Sequence, residues 1–528
     1  MHPALPYVSD MQTPLLKLSG AMRDAFLLTT ALTGVHITGS TGSGKTSASG
    51  QYLALTYLRS GFGGIVLCAK ASPSEWDAWE AYAARTGRTA QLIHFDEHGM
   101  HKFNFLHYVA LQNLDAAGRL ITPNVVDFLM KMKDAASRGD ELQGKGGEQP
   151  FWNLAPRELL SHAIDAIWTA YGRLRIDELV RFIQTAPRNP KDFGSEAARS
   201  RSFCLQTLHR AAHHPASTIA DQDLFVVLQF FKENFAVLDP ETRSNIVTTV
   251  TSQFTPFLKG VMREKFSTET TLVPELCFEG GVIVLDFAID KYREVGLIIQ
   301  HLFKYLFQLA ALKRDTSQAV RPVFIWGDES QYFITPFDAQ FQTVARSKRV
   351  STVYLTQTIS NYMAMIGGGT PRESTMALLA NFVTKVAHRN DDEATNQMMA
   401  TMIGRNLQLR GSSSRGINAG SSSSSGENYG ANTSLSAGYS GDSQSSTFSS
   451  GYSSGRNTGL SFSSGWSTND TVSEQMDFEV EPRVFGYLRS GGPENRLLVD
   501  AIWFQAGRRF VANRGRNFLP ITFNQRVR

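Results

Sequence analysis

The sequence predicts an α/β fold in which a mostly parallel sheet is wound around a phosphate-binding loop and an all-helical insertion separates its two halves. Three observations carry this expectation. A short apolar strand, Val35-His36-Ile37-Thr38, runs directly into Gly39-Ser40-Thr41-Gly42-Ser43-Gly44-Lys45-Thr46, which has the form G-x-x-x-x-G-K-T. Short, almost continuously apolar runs at 64–70, 91–95, 280–286, 322–329, 353–357 and 382–386 read as strands buried on both faces, several of them separated by helical patterns. Between about 107 and 243 that rhythm stops and helical patterns alone remain.

Taken in order, 15–32 is a polar and apolar mixture expected to form a lead-in strand or helix beside the loop. After the loop, 47–59 has helical spacing at Tyr52, Leu53, Leu55, Tyr57 and Leu58, with Gly61 as its stop. A further helix is expected at 74–86. Inside the insertion, helices are expected over 156–171, 176–184 and 223–233, with a flexible, charged, glycine-containing loop at 137–149. The run 295–313 is long and apolar, yet it carries Gln300, His301, Lys304 and Gln308, which mark a buried protein helix rather than a membrane span. The domain division that follows is 1–106 with 244–528 as the nucleotide-binding part and 107–243 as the insertion.

More than half of 411–469 is Ser or Gly, with Tyr429, Tyr439, Phe448, Tyr452, Phe462 and Trp466 scattered through it. Such a composition offers too little apolar surface to offset its ordering entropy, so a disordered segment or long mobile loop is expected. Its aromatics are either compositional drift or stacking platforms for bases. Short strands at 478–480, 497–503 and 508–511 are expected to close the sheet. The arginines at 508, 509, 514, 516, 526 and 528 read as a solvated basic tail, with a nucleic-acid or partner contact as the alternative.

At 528 residues the chain is long enough for two or more lobes, or for one large core with an insertion. Its net charge of +4 is compatible with a nucleic-acid partner without demanding one. Cys68, Cys204 and Cys277 are far apart and lack metal-type spacing, which argues against a disulfide framework or a zinc site and for a reducing compartment. The first ten residues lack the basic-then-apolar pattern of a signal peptide, so a cytoplasmic location is expected.

The chemistry of the loop follows from its residues. Gly39, Gly42 and Gly44 allow a tight turn whose N–H groups face inward, where side chains at these positions would obstruct a phosphate. Lys45 supplies a point charge for the β- and γ-phosphates of ATP, and the Thr46 hydroxyl suits Mg²⁺. Such a loop needs an acidic residue from a second strand, and two strands offer one, ending at Asp286 and Asp328. Asp328 is preferred because Glu329 follows it: one carboxylate can hold Mg²⁺ while its neighbour activates the attacking water. Asp286 reads as an ordinary strand-ending acid. Gln357, at the end of an apolar strand, is placed to contact the γ-phosphate. Arg346, Lys348 and Arg349 on the preceding helix are either a solvated basic face or the source of an arginine that reaches a neighbouring subunit's nucleotide.

The order of these motifs resembles the type IV coupling proteins, the ring ATPases of conjugative DNA transfer and type IV secretion. The stretches that carry the resemblance are HITGSTGSGKT, VLCAKASPSEW, FNFL, FWNLAPRELL, IWGDESQYF, YLTQTIS and LANFVTKVAHRNDDEATNQMM. It implies a RecA-like P-loop NTPase core assembled as a homo-hexamer around DNA, with the all-α domain facing the cytoplasm. It also implies Lys45 and Thr46 as phosphate and magnesium contacts, Asp328 as the metal-shell acid and Glu329 as the catalytic base. Gln357 is then the γ-phosphate sensor and Arg346 the trans-acting arginine. Members of that family begin with transmembrane helices, which are not found here, so the expectation includes peripheral attachment at the inner membrane through a separate membrane partner.

The function expected is an ATP-driven DNA or nucleoprotein translocase that couples relaxase or secretion-channel proteins to transfer. Two alternatives stand beside it: a soluble double-strand DNA translocase, and a nucleotide-controlled adaptor that recruits relaxase or effector proteins.

Overall fold

The computed structural model describes residues 6–72, 74–130, 151–217, 219–366, 369–424, 433–440, 443–450 and 459–526. The loop expected at 137–149 lies outside them. The chain forms two compact units, Met1–Thr395 with Phe485–Arg528, and Asn396–Val484.

In chain order the strands are β1 (Pro14–Leu16), β2 (Phe26–Leu27), β3 (Val35–Thr38), β4 (Gly63–Leu67), β5 (Leu92–Phe95), β6 (Val282–Leu285), β7 (Val323–Gly327), β8 (Val350–Thr356), β9 (Thr384–Ala387), β10 (Arg405–Ser424), β11 (Thr433–Ser440), β12 (Ser443–Ser450), β13 (Gly459–Phe478), β14 (Leu498–Gln505) and β15 (Phe518–Asn524). β1 and β2 form a small antiparallel pair ahead of the loop strand. Nine strands of the first unit make one sheet in the order β15-β14-β9-β3-β8-β7-β4-β6-β5. From β9 to β5 every neighbouring pair is parallel, and β14 runs antiparallel to both β9 and β15. The fold is therefore α/β with a mostly parallel, RecA-like sheet.

The pairing explains the sequence pattern. Every residue of β3, β4, β6, β7, β8 and β9 is buried. Strands covered on both faces have no solvent side, so they read as apolar runs rather than alternating ones. The parallel arrangement also brings the carboxyl ends of β3, β8, β7 and β4 side by side along one edge, where an open α/β sheet binds its ligands.

The helix Ile289–Lys313 is long and apolar enough to cross a membrane by composition, but most of it is buried inside the protein. Its polar residues each meet a partner. Gln300 donates to the carbonyls of Cys68, Leu285 and Phe287, which ties the helix to the ends of β4 and β6. The His301 ring is 2.8 Å from the Tyr332 carbonyl. Lys304 and Gln308 reach the Asp338 carboxylate at 2.5 and 2.8 Å, and the Thr335 amide and the Tyr354 hydroxyl donate to the same group. Burial opposes charge on Asp338, but Lys304 and these donors outweigh it and hold the carboxyl below its usual range. This cluster fastens the helix Pro336–Ala345 between β7 and β8.

The stretch between the half-sheets is helical, from Phe105–Gln112 through 122–130, Phe151–Tyr171, Ile176–Gln184, Phe203–His213, Asp221–Gln229 and Pro240–Ser252. It runs past 243 to the helix Gly260–Phe266 and belongs to the same compact unit as the sheet.

Three expectations change. In 411–469 the described residues are strands, not a loop: β10 pairs with β13 and β11 with β12, both antiparallel. A two-stranded ladder pairs the facing half of its backbone groups across the strands and leaves the outer half to water, and neither needs a core, so Ser/Gly composition does not forbid it. At 508–511 there is no strand but a turn, closed by a bridge between Phe510 and Arg516, and the last strand is β15 instead. Arg508 is not a solvated tail residue, since it donates to the carbonyls of Arg23 and Ala25. Arg509, Arg514, Arg516 and Arg526 are exposed, and Arg528 lies outside the described residues.

Candidate nucleotide site

The loop Gly39–Thr46 leaves β3 at the centre of the sheet and is clamped from both sides. On the β8 side the Gly39 amide donates to the Thr356 carbonyl at 3.2 Å. On the β9 side the Ser40 amide donates to the Arg389 carbonyl at 2.9 Å, and the Ser40 hydroxyl accepts from the Asp391 amide at 3.1 Å. Two glycines are required by contact: a Cβ on Gly44, which has φ +86°, would stand 2.8 Å from Val499, and one on Gly39 would stand 2.9 Å from His388. Below the loop, the buried His388 ring meets the Ser49 hydroxyl at 2.7 Å. Burial, with Lys45 adding to it, pulls that imidazole down to about 3, so it is neutral.

The loop presents donors with nothing in the protein to accept from them. Among the described residues, the amides of Gly42, Gly44, Lys45 and Thr46 reach no protein acceptor. The buried Ser43 hydroxyl also has none. Lys45 is buried too, and its ammonium group stands 3.9 Å from Glu329. A buried cation beside inward amides is a cradle for phosphate oxygens, and the donor set fits a nucleoside phosphate.

The second half of the site comes from β7. Asp328 accepts the Thr46 hydroxyl at 2.6 Å, so a carboxylate and a hydroxyl converge at the foot of the loop, as a hard cation such as Mg²⁺ requires. Glu329 follows in the left-handed backbone region, φ 50° and ψ 45°, a conformation that costs a non-glycine residue on the order of 1–3 kcal/mol. Its carboxylate is held by Lys70 at 2.7 Å, Gln331 at 3.0 Å and Gln357 at 3.2 and 3.3 Å. Burial pushes its pKa up, but those donors together with Lys45 outweigh burial and bring it down to about 2. Because β8 lies between β3 and β7, Gln357 at its end stands between the loop and the acidic pair.

Asp286 is elsewhere. It ends β6, beyond β4, and meets His94 at 2.9 Å. Arg346 is also apart: it is exposed, its side chain has no described partner, and it precedes β8 at the amino end, the edge of the sheet opposite Gln357. Lys348 donates to the Arg314 carbonyl and Arg349 to the Met11 sulfur, so of the three basic residues Arg346 is the uncommitted one.

Two residues of the site were not singled out from the sequence. Lys70 and Glu75 stand just past β4, which the sheet order puts beside β7. Lys70 binds Glu329 while remaining half exposed at the mouth of a cleft of about 620 Å³ that Ser72, Asp290, Gln331 and Gln357 also line. Glu75 begins the helix Glu75–Thr86, and burial, followed by the negative charge of Asp328, pushes its carboxyl well above the usual carboxylate range. The signal was the charged pair in Lys70-Ala-Ser-Pro-Ser-Glu75 directly after an apolar strand, which becomes informative once β4 is known to border β7.

Sheet and loop together define an α/β fold of the RecA-like P-loop kind, with a loop whose donors fit a nucleoside phosphate. This fold is similar to that of the bacterial conjugative coupling protein TrwB. The unbound TrwB structure aligns over 98% of this chain and 92% of that chain, with a TM-score of 0.52 and 12% sequence identity. The TrwB complex with ADP and Mg²⁺ aligns over the same shares, with a TM-score of 0.51. At this identity the likeness is one of fold. No family model matches the chain, and no curated protein matches it by sequence.

Proposed function

We propose that this protein is a P-loop ATPase of the type IV coupling kind, which uses ATP hydrolysis to move DNA or nucleoprotein in conjugative transfer or type IV secretion. The observation that carries the reading is the convergence of Thr46, Asp328, Glu329 and Gln357 on a loop in which the amides of Gly42, Gly44, Lys45 and Thr46 lack protein acceptors. The TrwB structures with ADP and Mg²⁺ and with a non-hydrolysable ATP analogue support it. In this reading the amides of Gly42, Gly44, Lys45 and Thr46 and the Lys45 ammonium hold the phosphates, and Thr46 with Asp328 holds Mg²⁺. The metal, when bound, neutralises phosphate charge and fixes its geometry. Glu329 orients the attacking water and accepts its proton, Gln357 connects that carboxylate to the γ-phosphate position, and Lys70 and Gln331 keep the carboxylate ionised and in place. Arg346 completes a neighbouring subunit's site in a homo-hexamer. The partners proposed are DNA, a relaxase or secretion-channel protein, and a membrane partner that brings a cytoplasmic ring to the inner membrane.

Steady-state ATP turnover without DNA, with single strands and with duplex tests the reading. A translocase is stimulated by one of them, whereas an equal rate in all three supports the adaptor. Mixing Arg346→Ala with Glu329→Gln chains tests the ring: two inactive proteins regain partial turnover where an intact loop and base meet an intact arginine. No recovery on mixing makes Arg346 a surface residue.

A further inference from the structure

Hydrolysis of a nucleoside triphosphate develops negative charge on the transferred phosphoryl group, which fixed cations around it stabilise. In this chain Lys45 comes from the loop, while Arg346 stands at the opposite edge of the sheet. A second ammonium group already stands at the loop's edge. Lys70 donates to Oε1 of Glu329 at 2.7 Å, and Lys45 stands 3.9 Å from the same atom. Gln357 reaches it at 3.2 Å. Side-chain nitrogens from the segments that follow β3, β4 and β8 thus converge on one carboxylate oxygen, which puts the two ammonium groups within one phosphoryl group's span of each other. Their directions differ. Counted from the loop strand the order is β3-β8-β7-β4, so Lys45 approaches Glu329 from one side and Lys70 from the other.

Lys70 has both the free donors and the anchorage that a second contact needs. An ammonium group carries three N–H donors, and the bond to Glu329 uses one of them; among the described residues Lys70 makes no other hydrogen bond. Its side chain is half exposed, but its backbone is fixed. The Asp290 carboxylate accepts from the Ala71 amide at 2.9 and 3.0 Å, and the Asp290 amide donates to the Ala69 carbonyl at 3.2 Å. Because Asp290 lies in the first turn of the helix Ile289–Lys313, that buried helix grips the lysine's segment on both sides. A lysine that served only to meet water would need neither grip.

We propose that Lys70 is a second cation for the γ-phosphoryl group, acting in the same subunit as Lys45 and donating to Glu329 and to a γ-phosphate oxygen at once. The inference rests on the ATPase reading. As the bond from the γ-phosphorus to the bridging oxygen breaks, its electron pair leaves with ADP, while the water oxygen bonds to phosphorus and its proton passes to Glu329. Lys70 keeps its own protons throughout and offsets the charge of the group in transfer.

The test reads binding rather than turnover and uses a Glu329→Gln chain. Removing Lys70 beside an ionised Glu329 would turn a bare carboxylate on the γ-phosphate and weaken ATP by that route alone. Dissociation constants for ATP and ADP, each with Mg²⁺, are compared in Glu329→Gln and in Glu329→Gln with Lys70→Met. The ATP constant rises by about tenfold or more, the scale of a lost hydrogen bond between charged groups, while the ADP constant stays the same. Lys70→Arg in place of Lys70→Met recovers most of the loss. An unchanged ADP constant also shows that each variant is folded. If the ATP constant does not rise, or if ATP and ADP weaken alike, Lys70 serves Glu329 or the fold alone and the proposal is overturned. A native chain that binds neither nucleotide removes the ATPase reading itself, whereas native ADP binding with an unchanged ATP constant removes only the role of Lys70.

Discussion

The nine-stranded sheet and the Ser/Gly ribbon are both β structure, and they encode it in opposite ways. In β8 all seven residues from Val350 to Thr356 are buried, because helices or loops cover both faces and neighbouring strands cover both edges. Apolar density reveals such a strand, and alternation is absent from it. In the ribbon of β10 to β13 apolar density is low, so a reading by composition finds no strand in it. The sheet derives its stability from a shared core and buries charge only where carboxylates or carbonyls meet it, as at Lys304 and Arg88. The ribbon has its two antiparallel ladders and a backbone that a low apolar density does not forbid.

That contrast predicts steep effects in the sheet and small ones in the ribbon. The steepest is at the edge of the sheet. Glu329→Gln is expected to bind ATP normally while turnover falls by about 10²-fold or more, the scale of lost general-base catalysis. Asp286→Asn, held by His94 beyond β4, leaves turnover near wild type. Single-turnover measurements on the two variants decide between the strands, and a larger loss in Asp286→Asn reverses the assignment.

Next is the buried pair under β7 and β8. Lys304→Met leaves the Asp338 carboxylate buried without its cation, and denaturant unfolding should show a loss of about 3–5 kcal/mol. Ser436→Ala in the ribbon should change stability by no more than about 0.5 kcal/mol. Equal effects would mean that the two regions share one cooperative core.

A smaller effect appears in acid. Burial pulls both His36 and His388 down to about 3, with Lys385 adding to the shift at His36 and Lys45 at His388. Below their ordinary pKa of about 6.5 the unfolded chain binds protons that the folded chain refuses, so stability is present above that pH and is lost as pH falls from 6.5 toward 3. Thermal unfolding followed from pH 7 to 5 should show a falling midpoint, with a shallower slope in His36→Phe. An unchanged slope would show that His36 accepts a proton without unfolding.

The smallest effect is expected from removing the ribbon. The Glu479 amide donates to the Gly404 carbonyl at 3.0 Å, so a short Gly-Ser turn can replace 405–478. ATP turnover and the unfolding midpoint of the first unit should both stay at wild-type values. A lower midpoint on replacement would place part of the ribbon's role inside the core.

Much of the site was legible in the chain because its chemistry is local. Gly39 to Thr46 need their order and spacing to form the loop, and Asp328-Glu329 at the end of an apolar strand is a pairing the second half of the site requires. The long helix declared itself a protein helix through Gln300, His301, Lys304 and Gln308. Other features depended on which strands became neighbours, and no local pattern carries strand order. Lys70 and Glu75 join the site because β4 pairs with β7, and Gln357 reaches Glu329 because β8 lies between β3 and β7. Arg508 serves the N-terminal segment because chain ends nearly five hundred residues apart meet. The pairing of β10 with β13 and of β11 with β12 left no mark in the composition of 411–469, because a ladder is built from backbone groups. Local backbone chemistry can be read from order and spacing, whereas contacts between strands distant in sequence are set by how the sheet closes.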